Sequence, residues 1–280
     1  MPKTSLNPVT ISQCNFEQSL QVAQRVGFDG IGLRFNLIRD YLNTGRSISD
    51  AKRIIEECDL VATEMGFLTG WMFHDGIPLA GKRNRTGETK EQLVEEMHFF
   101  FSITRELGSP PVTALTPADE VGLLEEAARD FSWLCDQAAK YDLRVMLEFF
   151  GSAPQVNRIK DAWDLIEASK RDNCGLLLDS FLLFMGEFNL DDLNIVPADR
   201  IFAVHISDAK PKPRGELDML KDRLLPGHGV IPLREFVNAI RGTGYDGYFT
   251  VEIFNEEYAR EDPVKIAQQS RELLEGILAT

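Results

Sequence analysis

The sequence is poor in the residues that several classes of protein depend on. Its 280 residues include only four cysteines and four histidines, and its 30 lysines and arginines are outnumbered by 44 aspartates and glutamates. The net charge of −14 is unfavourable for nucleic acid, whose phosphates need clustered cations, and for an anionic membrane surface. We therefore expect neither nucleic acid nor a membrane as a partner.

The marks of secreted and membrane proteins are missing as well. Cys14, Cys58, Cys135 and Cys174 are far apart and form no CxxC pair or disulfide-like framework, which favours buried, reduced thiols. The opening segment "MPKTSLNPVTIS" lacks the charged start and the long apolar stretch of a signal peptide. No run reaches the roughly 18 to 20 apolar residues of a membrane span. We expect a cytoplasmic protein.

Motifs of three common enzyme classes are absent. The sequence contains no GxSxG elbow, no phosphate-binding P-loop and no glycine-rich dinucleotide fingerprint. Each of these motifs supplies a backbone geometry that its chemistry needs. Serine hydrolysis, nucleoside triphosphate use and NAD-linked hydride transfer are therefore disfavoured.

Short apolar runs typical of β-strands alternate with amphipathic helical segments along the whole chain. The predicted strands are 8–12, 30–35, 60–67, 111–115, 144–150, 174–180, 201–207 and 248–254. The predicted helices are 16–26, 37–58, 89–107, 119–140, 159–170, 189–194, 233–242 and 263–278. Continuous apolar strands separated by helices indicate a parallel sheet that is covered on both faces. Eight such units in about 250 residues predict a single-domain (β/α)8 TIM barrel over residues 1–280. A doubly wound sheet is the alternative, but its usual nucleotide-binding glycine loop is absent.

Four of the predicted apolar strands each carry one polar residue near the carboxyl end. These residues, which we call the strand-end cluster, are Glu148 in "RVMLEFF", Asp179 in "CGLLLDS", His205 in "IFAVHIS" and Glu252 in "YFTVEIF". Burying an ionised carboxylate is costly unless a partner compensates its charge. Because the carboxyl ends of barrel strands meet at one face, these side chains can converge. Three carboxylates and one imidazole suit Mn²⁺, Mg²⁺, Co²⁺ or Zn²⁺.

Each member of the strand-end cluster also has a simpler explanation. Asp179 could cap a following helical turn, either glutamate could pair with an arginine, and His205 could be a hydrogen-bonded core residue. The conjunction on four consecutive strands favours metal binding over four independent coincidences.

Further candidates for substrate binding lie in or near the predicted loops at the same end of the barrel. Arg34 ends the second strand, and Trp71 and His74 follow the third, where aromatic rings could pack against a sugar-like ring. Asp208 follows the seventh strand and could orient the imidazole of the cluster, contact substrate or cap its loop. Arg214, in "KPKPRGE", could contact an anion.

The segments around the cluster resemble those of a known family. They are "LEFFG" (147–151), "RDNCGLLLDSF" (171–181), "VHISD" (204–208), "LPGHGVIPL" (225–233) and "VEIFNEEY" (251–258). They are similar to the xylose isomerase-like sugar isomerase and epimerase superfamily, and within it to the inosose (2-keto-myo-inositol) isomerase branch. The resemblance spans nearly the whole chain and is specific from about residue 141 to 262. It implies one divalent metal held by the strand-end cluster, with Glu148 and Glu252 moving protons on opposite sides of the substrate.

The sequence departs from the family pattern at three positions. Leu182 stands where the family usually has a histidine that contacts a substrate oxygen. His228, which we keep as a candidate substrate contact, stands where glutamine or glutamate is more usual, and Pro232 replaces a common aspartate. The metal set survives these changes, while the identity of the substrate does not carry over.

The resemblance implies a metal-dependent isomerase or epimerase of a keto-sugar or keto-cyclitol, acting through an enediolate, as in inositol catabolism. The alternative is a metal-dependent dehydratase of the 3-dehydroshikimate or inosose type. A related DNA-repair endonuclease would need a histidine-rich multi-metal cluster and a basic groove, which this sequence lacks. A non-catalytic binding barrel would not need two glutamates. The oligomeric state stays open, a homo-oligomer included.

Overall fold

The computed structural model describes residues 2–74, 77–80, 83–84, 89–108, 110–117 and 122–279, and for residues 73, 74, 77–80, 83 and 84 it describes the backbone only. The strands in chain order are β1 (Lys3–Leu6), β2 (Gly30–Arg34), β3 (Val61–Leu68), β4 (Met72–His74), β5 (Ile77–Ala80), β6 (Arg83–Asn84), β7 (Val112–Leu115), β8 (Val145–Glu148), β9 (Cys174–Asp179), β10 (Ile201–Ile206), β11 (Asp208–Ala209), β12 (Arg223–Leu224) and β13 (Tyr248–Val251).

Parallel strands close into a barrel in the order β1, β13, β10, β9, β8, β7, β3, β2, counted over the described residues. Strand β1 pairs with both β13 and β2, which closes the cylinder. Two small antiparallel sheets lie outside it, one of β4, β5 and β6 and one of β11 and β12. The predicted (β/α)8 barrel is confirmed.

Helices follow the barrel strands along the chain. They are α1 (Phe16–Val26), α2 (Phe35–Asn43), α3 (Ile48–Glu57), α4 (Lys90–Glu106), α5 (Leu124–Ala139), α6 (Ile159–Ser169), α7 (Ser180–Met185), α8 (Leu233–Gly242) and α9 (Pro263–Leu278). Capping boxes, in which a polar side chain and the residue three positions later bond each other's backbone N–H, begin α1, α3 and α4.

Two predicted elements were wrong in type or position. The segment 8–12 is not the first strand, because Pro8 has no N–H to donate and the Asn7 side chain caps a short 3-10 helix over Pro8–Ile11. The true first strand, β1, is shorter and more polar. The predicted helix 189–194 is also a 3-10 helix, Leu190–Ile195, while α7 follows β9 directly.

Most buried apolar side chains form one large core, and Met146, Leu177 and Ala203 of β8, β9 and β10 form a smaller, separate cluster. Strands β8 and β9 are buried along their full length, as expected for strands that helices cover on one face and the barrel interior on the other. No helix in the described ranges is both long and apolar enough to cross a bilayer.

Candidate active site

The strand-end cluster occupies the carboxyl ends of four neighbouring barrel strands. Glu148 and Asp179 are the last residues of β8 and β9, His205 is next to last in β10, and Glu252 directly follows β13. The Cα atom of His205 pairs in register with that of Asp179. Each residue offers one ligand atom, and these four atoms lie within 4.8 Å of one another. The structure thus brings the predicted residues together, and their binding of a metal stays a prediction.

One ring nitrogen of His205 has a hydrogen-bond partner, and the other has none among the described residues. Its Nε2 atom lies 2.7 Å from Oε2 of Glu64 on β3. Its Nδ1 atom is buried without a hydrogen-bond partner among the described residues, and it faces Oε2 of Glu252 at 3.3 Å and Oδ2 of Asp179 at 3.9 Å. A nitrogen that faces carboxylate oxygens in this way needs either a proton or a cation between them. Glu64 and His205 are arranged as the carboxylate and the histidine of a carboxylate–histidine–metal triad, in which Nδ1 would face the metal.

The electrostatic environment separates the two glutamates of the cluster. Burial and then the carboxylate of Glu252 raise the pKa of Glu148 well above its ordinary value. Burial also acts to raise the pKa of Glu252, but His205, Arg223 and Arg34 outweigh it and lower that pKa. Burial acts to lower the pKa of His205, and the nearby carboxylates outweigh it and raise that pKa well above its ordinary value. Without a cation the cluster therefore favours protonation of Glu148 and His205.

Arg223 is a site residue that sequence reasoning missed. It is 2% exposed and its Nη1 atom lies 2.7 Å from Oδ2 of Asp179 and 3.0 Å from Oγ of Ser207. Its guanidinium stacks on the rings of Phe181 and Phe254, at 4.8 and 5.4 Å. The stretch "LKDRLLPG" gives no signal of this burial, because a charged residue in a loop-like segment is usually solvated.

Glu64 is a second residue that was missed, although a signal was present. It is 1% exposed, and besides His205 it contacts Asn7, whose Nδ2 atom donates to Oε1 of Glu64 at 2.8 Å and to Oε1 of Glu252 at 3.2 Å. In "LVATEMGF" it is a lone carboxylate in a β-type run, the same feature that identified the strand-end cluster.

Arg34 lies next to the cluster, at the end of β2. Its Nη1 atom is 3.8 Å from Oε1 of Glu252, and its guanidinium stacks on Phe67 at 4.9 Å and on Phe254 at 5.8 Å. The prediction that Arg34 points to the barrel mouth agrees with this position, and its contact with substrate stays a prediction.

Asp208 caps a loop and does not orient the imidazole. Its carboxylate accepts hydrogen bonds from the backbone N–H groups of Ala209, Gly227, Gly229 and Ile231, at 2.8 to 3.0 Å. These bonds fold the "PGHGV" segment back onto β11. The imidazole partner is Glu64 instead, because β3 faces β10 across the barrel interior whereas Asp208 lies in the outer hairpin. Of the three roles considered for Asp208, the capping role is the one that the contacts describe.

The two remaining charged candidates lie at the surface. Arg214 donates from Nη1 to the Gly186 carbonyl at 2.8 Å and stacks on Phe184 at 4.6 Å, so it anchors its loop to the segment after α7. His228 is exposed, and its backbone N–H donates to the Leu225 carbonyl at 3.0 Å. Contacts of either side chain with substrate stay predictions.

Of the predicted aromatic wall, the structure describes Trp71. Its side chain is buried, donates from Nε1 to the Leu115 carbonyl at 3.0 Å and packs on Phe131 with ring centroids 5.4 Å apart. It also lines a pocket between β3, α4 and α5. Trp71 thus has a packing role. The side chain of His74 lies outside the described residues.

Leu182, the position at which the sequence departs from the family histidine, lies in the first turn of α7. Its side chain is 3% exposed, and its backbone N–H donates to Oδ1 of Asp179 at 2.8 Å. Asp179 therefore caps α7, as the simpler explanation predicted, while its other oxygen faces the cluster. The two roles use different oxygen atoms and are compatible.

Comparison with known proteins identifies the family. The family model described as xylose isomerase-like TIM barrel matches residues 20–277. The chain belongs to this family. The resemblance that the sequence motifs indicated is confirmed.

Individual relatives and a solved structure match most of the chain. An inosose isomerase of Bacillus velezensis is 28% identical over 274 residues, covering 94% of this chain and 93% of that protein. A 3-dehydroshikimate dehydratase of Pseudomonas aeruginosa is 28% identical over 86% of this chain, and the match covers 36% of that larger protein. The crystal structure of IOLI protein with a bound zinc atom has a TM-score of 0.87 and 24% identity, covering 99% of this chain and 98% of that one.

Proposed function

We propose that the protein is a divalent-metal-dependent isomerase or epimerase of a keto-cyclitol or keto-sugar, with the inososes as the first substrates to test. The observation that carries the proposal is the convergence of the strand-end cluster, with the unpaired Nδ1 atom of His205 facing carboxylates. The inosose isomerase relative of similar length supports the substrate class.

A count of buried charges supports the presence of a cation. The carboxylates of Glu64 and of the strand-end cluster bring four negative charges to the barrel mouth, and the guanidiniums of Arg34 and Arg223 bring two positive ones. If the imidazole is neutral and Glu148 is ionised, two negative charges are uncompensated in a buried space, which is costly. A divalent ion balances them, in place of the protons that Glu148 and His205 hold without it.

The donor set also fits a divalent ion chemically. Glu148, Asp179 and Glu252 would hold it through carboxylate oxygens and His205 through Nδ1, a mixed oxygen and nitrogen set that suits Mn²⁺, Mg²⁺, Co²⁺ or Zn²⁺. When bound, such an ion supplies Lewis acidity, which polarises a carbonyl and stabilises negative charge on oxygen.

Glu148 and Glu252 would be the residues that move protons on opposite sides of a substrate. Strands β9 and β10 lie between β8, which carries Glu148, and β13, which precedes Glu252. One carboxylate would take the proton from the carbon next to the carbonyl, giving an enediolate, and the other would return a proton to the neighbouring carbon or to the opposite face. Asp179 is less suited to this role, because the α7 backbone and Arg223 occupy its oxygens.

The second candidate is a dehydratase of the 3-dehydroshikimate or inosose type. It shares proton removal next to the carbonyl and then expels a β-hydroxyl group. The relative from Pseudomonas aeruginosa supports this candidate, and the apolar Leu182, in place of the usual histidine, leaves it open.

A single experiment tests both candidates. The purified protein is analysed for bound metal and then incubated in D₂O with inososes, ketohexoses and 3-dehydroshikimate in the presence of Mn²⁺, Mg²⁺, Co²⁺ or Zn²⁺. We expect one metal ion per chain and deuterium uptake at the carbon next to the carbonyl, with an isomeric product. A product with a new conjugated ultraviolet chromophore would identify the dehydratase. If the metal-loaded protein exchanges no substrate in the panel, the catalytic proposal is wrong and a binding barrel is favoured.

A further inference from the structure

A carboxylate outside the strand-end cluster supports the imidazole of that cluster. Glu64 lies in the middle of β3, is 1% exposed and is surrounded by the barrel interior. Its Oε2 atom lies 2.7 Å from Nε2 of His205, and its Oε1 atom accepts from Nδ2 of Asn7 at 2.8 Å. Both carboxylate oxygens therefore have a fixed polar partner.

The neighbouring strand leaves space for this carboxylate. Gly32 on β2 pairs in register with Glu64, and a Cβ atom at position 32 would come within 2.5 Å of Oε1 of Glu64. A larger residue at position 32 would push the carboxylate away from Asn7. The conformation of Glu64 thus depends on the absence of a side chain at Gly32, whose backbone has no positive φ that would itself favour glycine.

The hydrogen bond from Glu64 decides which imidazole nitrogen faces the cluster. A carboxylate accepts only, so the proton of a neutral imidazole must lie on Nε2, and Nδ1 keeps its lone pair. That lone pair points toward Asp179 and Glu252, and Nδ1 has no hydrogen-bond partner among the described residues. The ring is held in the orientation and the tautomer that a metal ligand needs.

We propose that Glu64, held by Asn7 and accommodated by Gly32, is a positioning residue that fixes His205 as an Nδ1 metal ligand and tightens metal binding. The inference rests on the proposed function, since it assumes that the strand-end cluster binds a divalent ion. Glu64 also supplies one of the four buried negative charges that a divalent ion and the two arginines balance. Removal of such an outer partner weakens metal binding by about 10- to 100-fold.

The test compares wild type with Glu64→Gln, Glu64→Leu and Glu57→Gln, all as full-length chains stripped of metal. Gln keeps an acceptor for Nε2–H but loses the charge, whereas Leu loses both. Glu57 is an exposed glutamate on α3 and serves as the matched control. Titration with Co²⁺ by calorimetry should give about 10- to 100-fold weaker binding for Glu64→Leu, intermediate binding for Glu64→Gln, and unchanged binding for Glu57→Gln. Circular dichroism checks that each variant is folded.

A second measurement reports on the imidazole itself and needs no substrate. The chain has four histidines, so nitrogen NMR of histidine-labelled, Zn²⁺-loaded protein can be assigned with a His205→Asn variant. We expect Nδ1 bound to metal and a low-field Nε2–H signal in wild type and Glu64→Gln, lost in Glu64→Leu. If both Glu64 variants fold and bind Co²⁺ as tightly as wild type, the inference is wrong and the proposed function stays intact. If Glu64→Leu does not fold, wild-type Co²⁺ affinity in Glu64→Gln has the same meaning. Absence of metal binding by wild type would overturn both.

Discussion

At the scale of single residues, the site depends on two glutamates with different surroundings. Glu252 contacts His205, Arg223, Arg34 and Asn7, and the cationic partners stabilise its ionised form. Glu148 has less compensation, and burial raises its pKa. A bound divalent ion would lower both pKa values, because its charge is the largest in the site. The difference in surroundings makes Glu148 the better candidate of the two for carrying a proton, and its part in proton transfer stays a prediction.

Glu148→Gln tests that role. The amide keeps an oxygen ligand but cannot accept a proton at that atom, so we expect turnover to fall by about 10²- to 10⁴-fold, with the fold and most of the metal content retained. Steady-state kinetics and metal analysis of the same preparations make the comparison, with Glu57→Gln as the surface control. Normal turnover in a metal-loaded Glu148→Gln protein would contradict the assignment.

The residues that the sequence identified are those whose polarity conflicts with their neighbours. Glu148, Asp179, His205 and Glu252 each stand in an apolar strand, and that conflict is visible without a structure. Glu64 gave the same signal in a less apolar run and was overlooked. Arg223 gave none, because its burial arises only when a distant loop folds over the barrel mouth.

At the scale of elements, a helix such as α3 begins where side-chain hydrogen bonds cap it, and the residues that make these bonds can be recognised in the sequence. The α3 capping box joins Ser47 and Asp50: Oγ of Ser47 accepts from the Asp50 N–H at 3.1 Å, and the Asp50 carboxylate accepts from the Ser47 N–H at 3.0 Å. The helical segment predicted over 37–58 contains most of α2 and all of α3, and "TGRS" (44–47) contains the glycine and the cap that separate them.

Ser47→Ala should lower the free energy of unfolding by about 1 kcal/mol at neutral pH, because it removes the cap. Hydrogen bonds from Ser47 and then from Arg53 lower the pKa of Asp50 from 3.8 to about 2. Because the pKa of Asp50 is lowered in the native state, the stabilisation that comes from its ionised carboxylate is present above pH 3.8 and is lost as the pH falls toward 2. The difference between wild type and variant should shrink over that range.

Urea unfolding at several pH values measures this difference. Ser49→Ala, at an exposed position in the first turn of the same helix, is the control and should change little. Equal stability of Ser47→Ala and wild type at neutral pH would mean that the α3 cap contributes nothing.

Element boundaries were predicted least well where tertiary contacts override local pattern. The polar strand β1 has little β-type signal, and it forms because β13 and β2 offer it backbone partners on both sides. The short α7 is buried and begins directly after its capping residue Asp179. Because its residues are as apolar as those of the strand before it, the sequence gives no sign that a helix begins there.

At the scale of the whole molecule, closure of the barrel creates the site. The alternation of strands and helices predicted that closure, since eight parallel units of this length have few other arrangements. Glu148 and Glu252 belong to strands that are not neighbours, and they approach each other only because β8, β9, β10 and β13 are consecutive in the cylinder. The identity of the strand that supports His205, β3 on the opposite side of the barrel, could not be predicted, because it depends on contacts across the barrel interior.

The most direct test of this account is anomalous X-ray diffraction from crystals of the Zn²⁺-loaded protein, recorded on both sides of the zinc absorption edge. The account predicts one strong anomalous peak at the carboxyl ends of β8, β9, β10 and β13. Nδ1 of His205 and oxygens of Glu148, Asp179 and Glu252 should lie about 2.0 to 2.2 Å from it. A peak bound by other residues, or four side chains that turn away from one another with no ion among them, would contradict it.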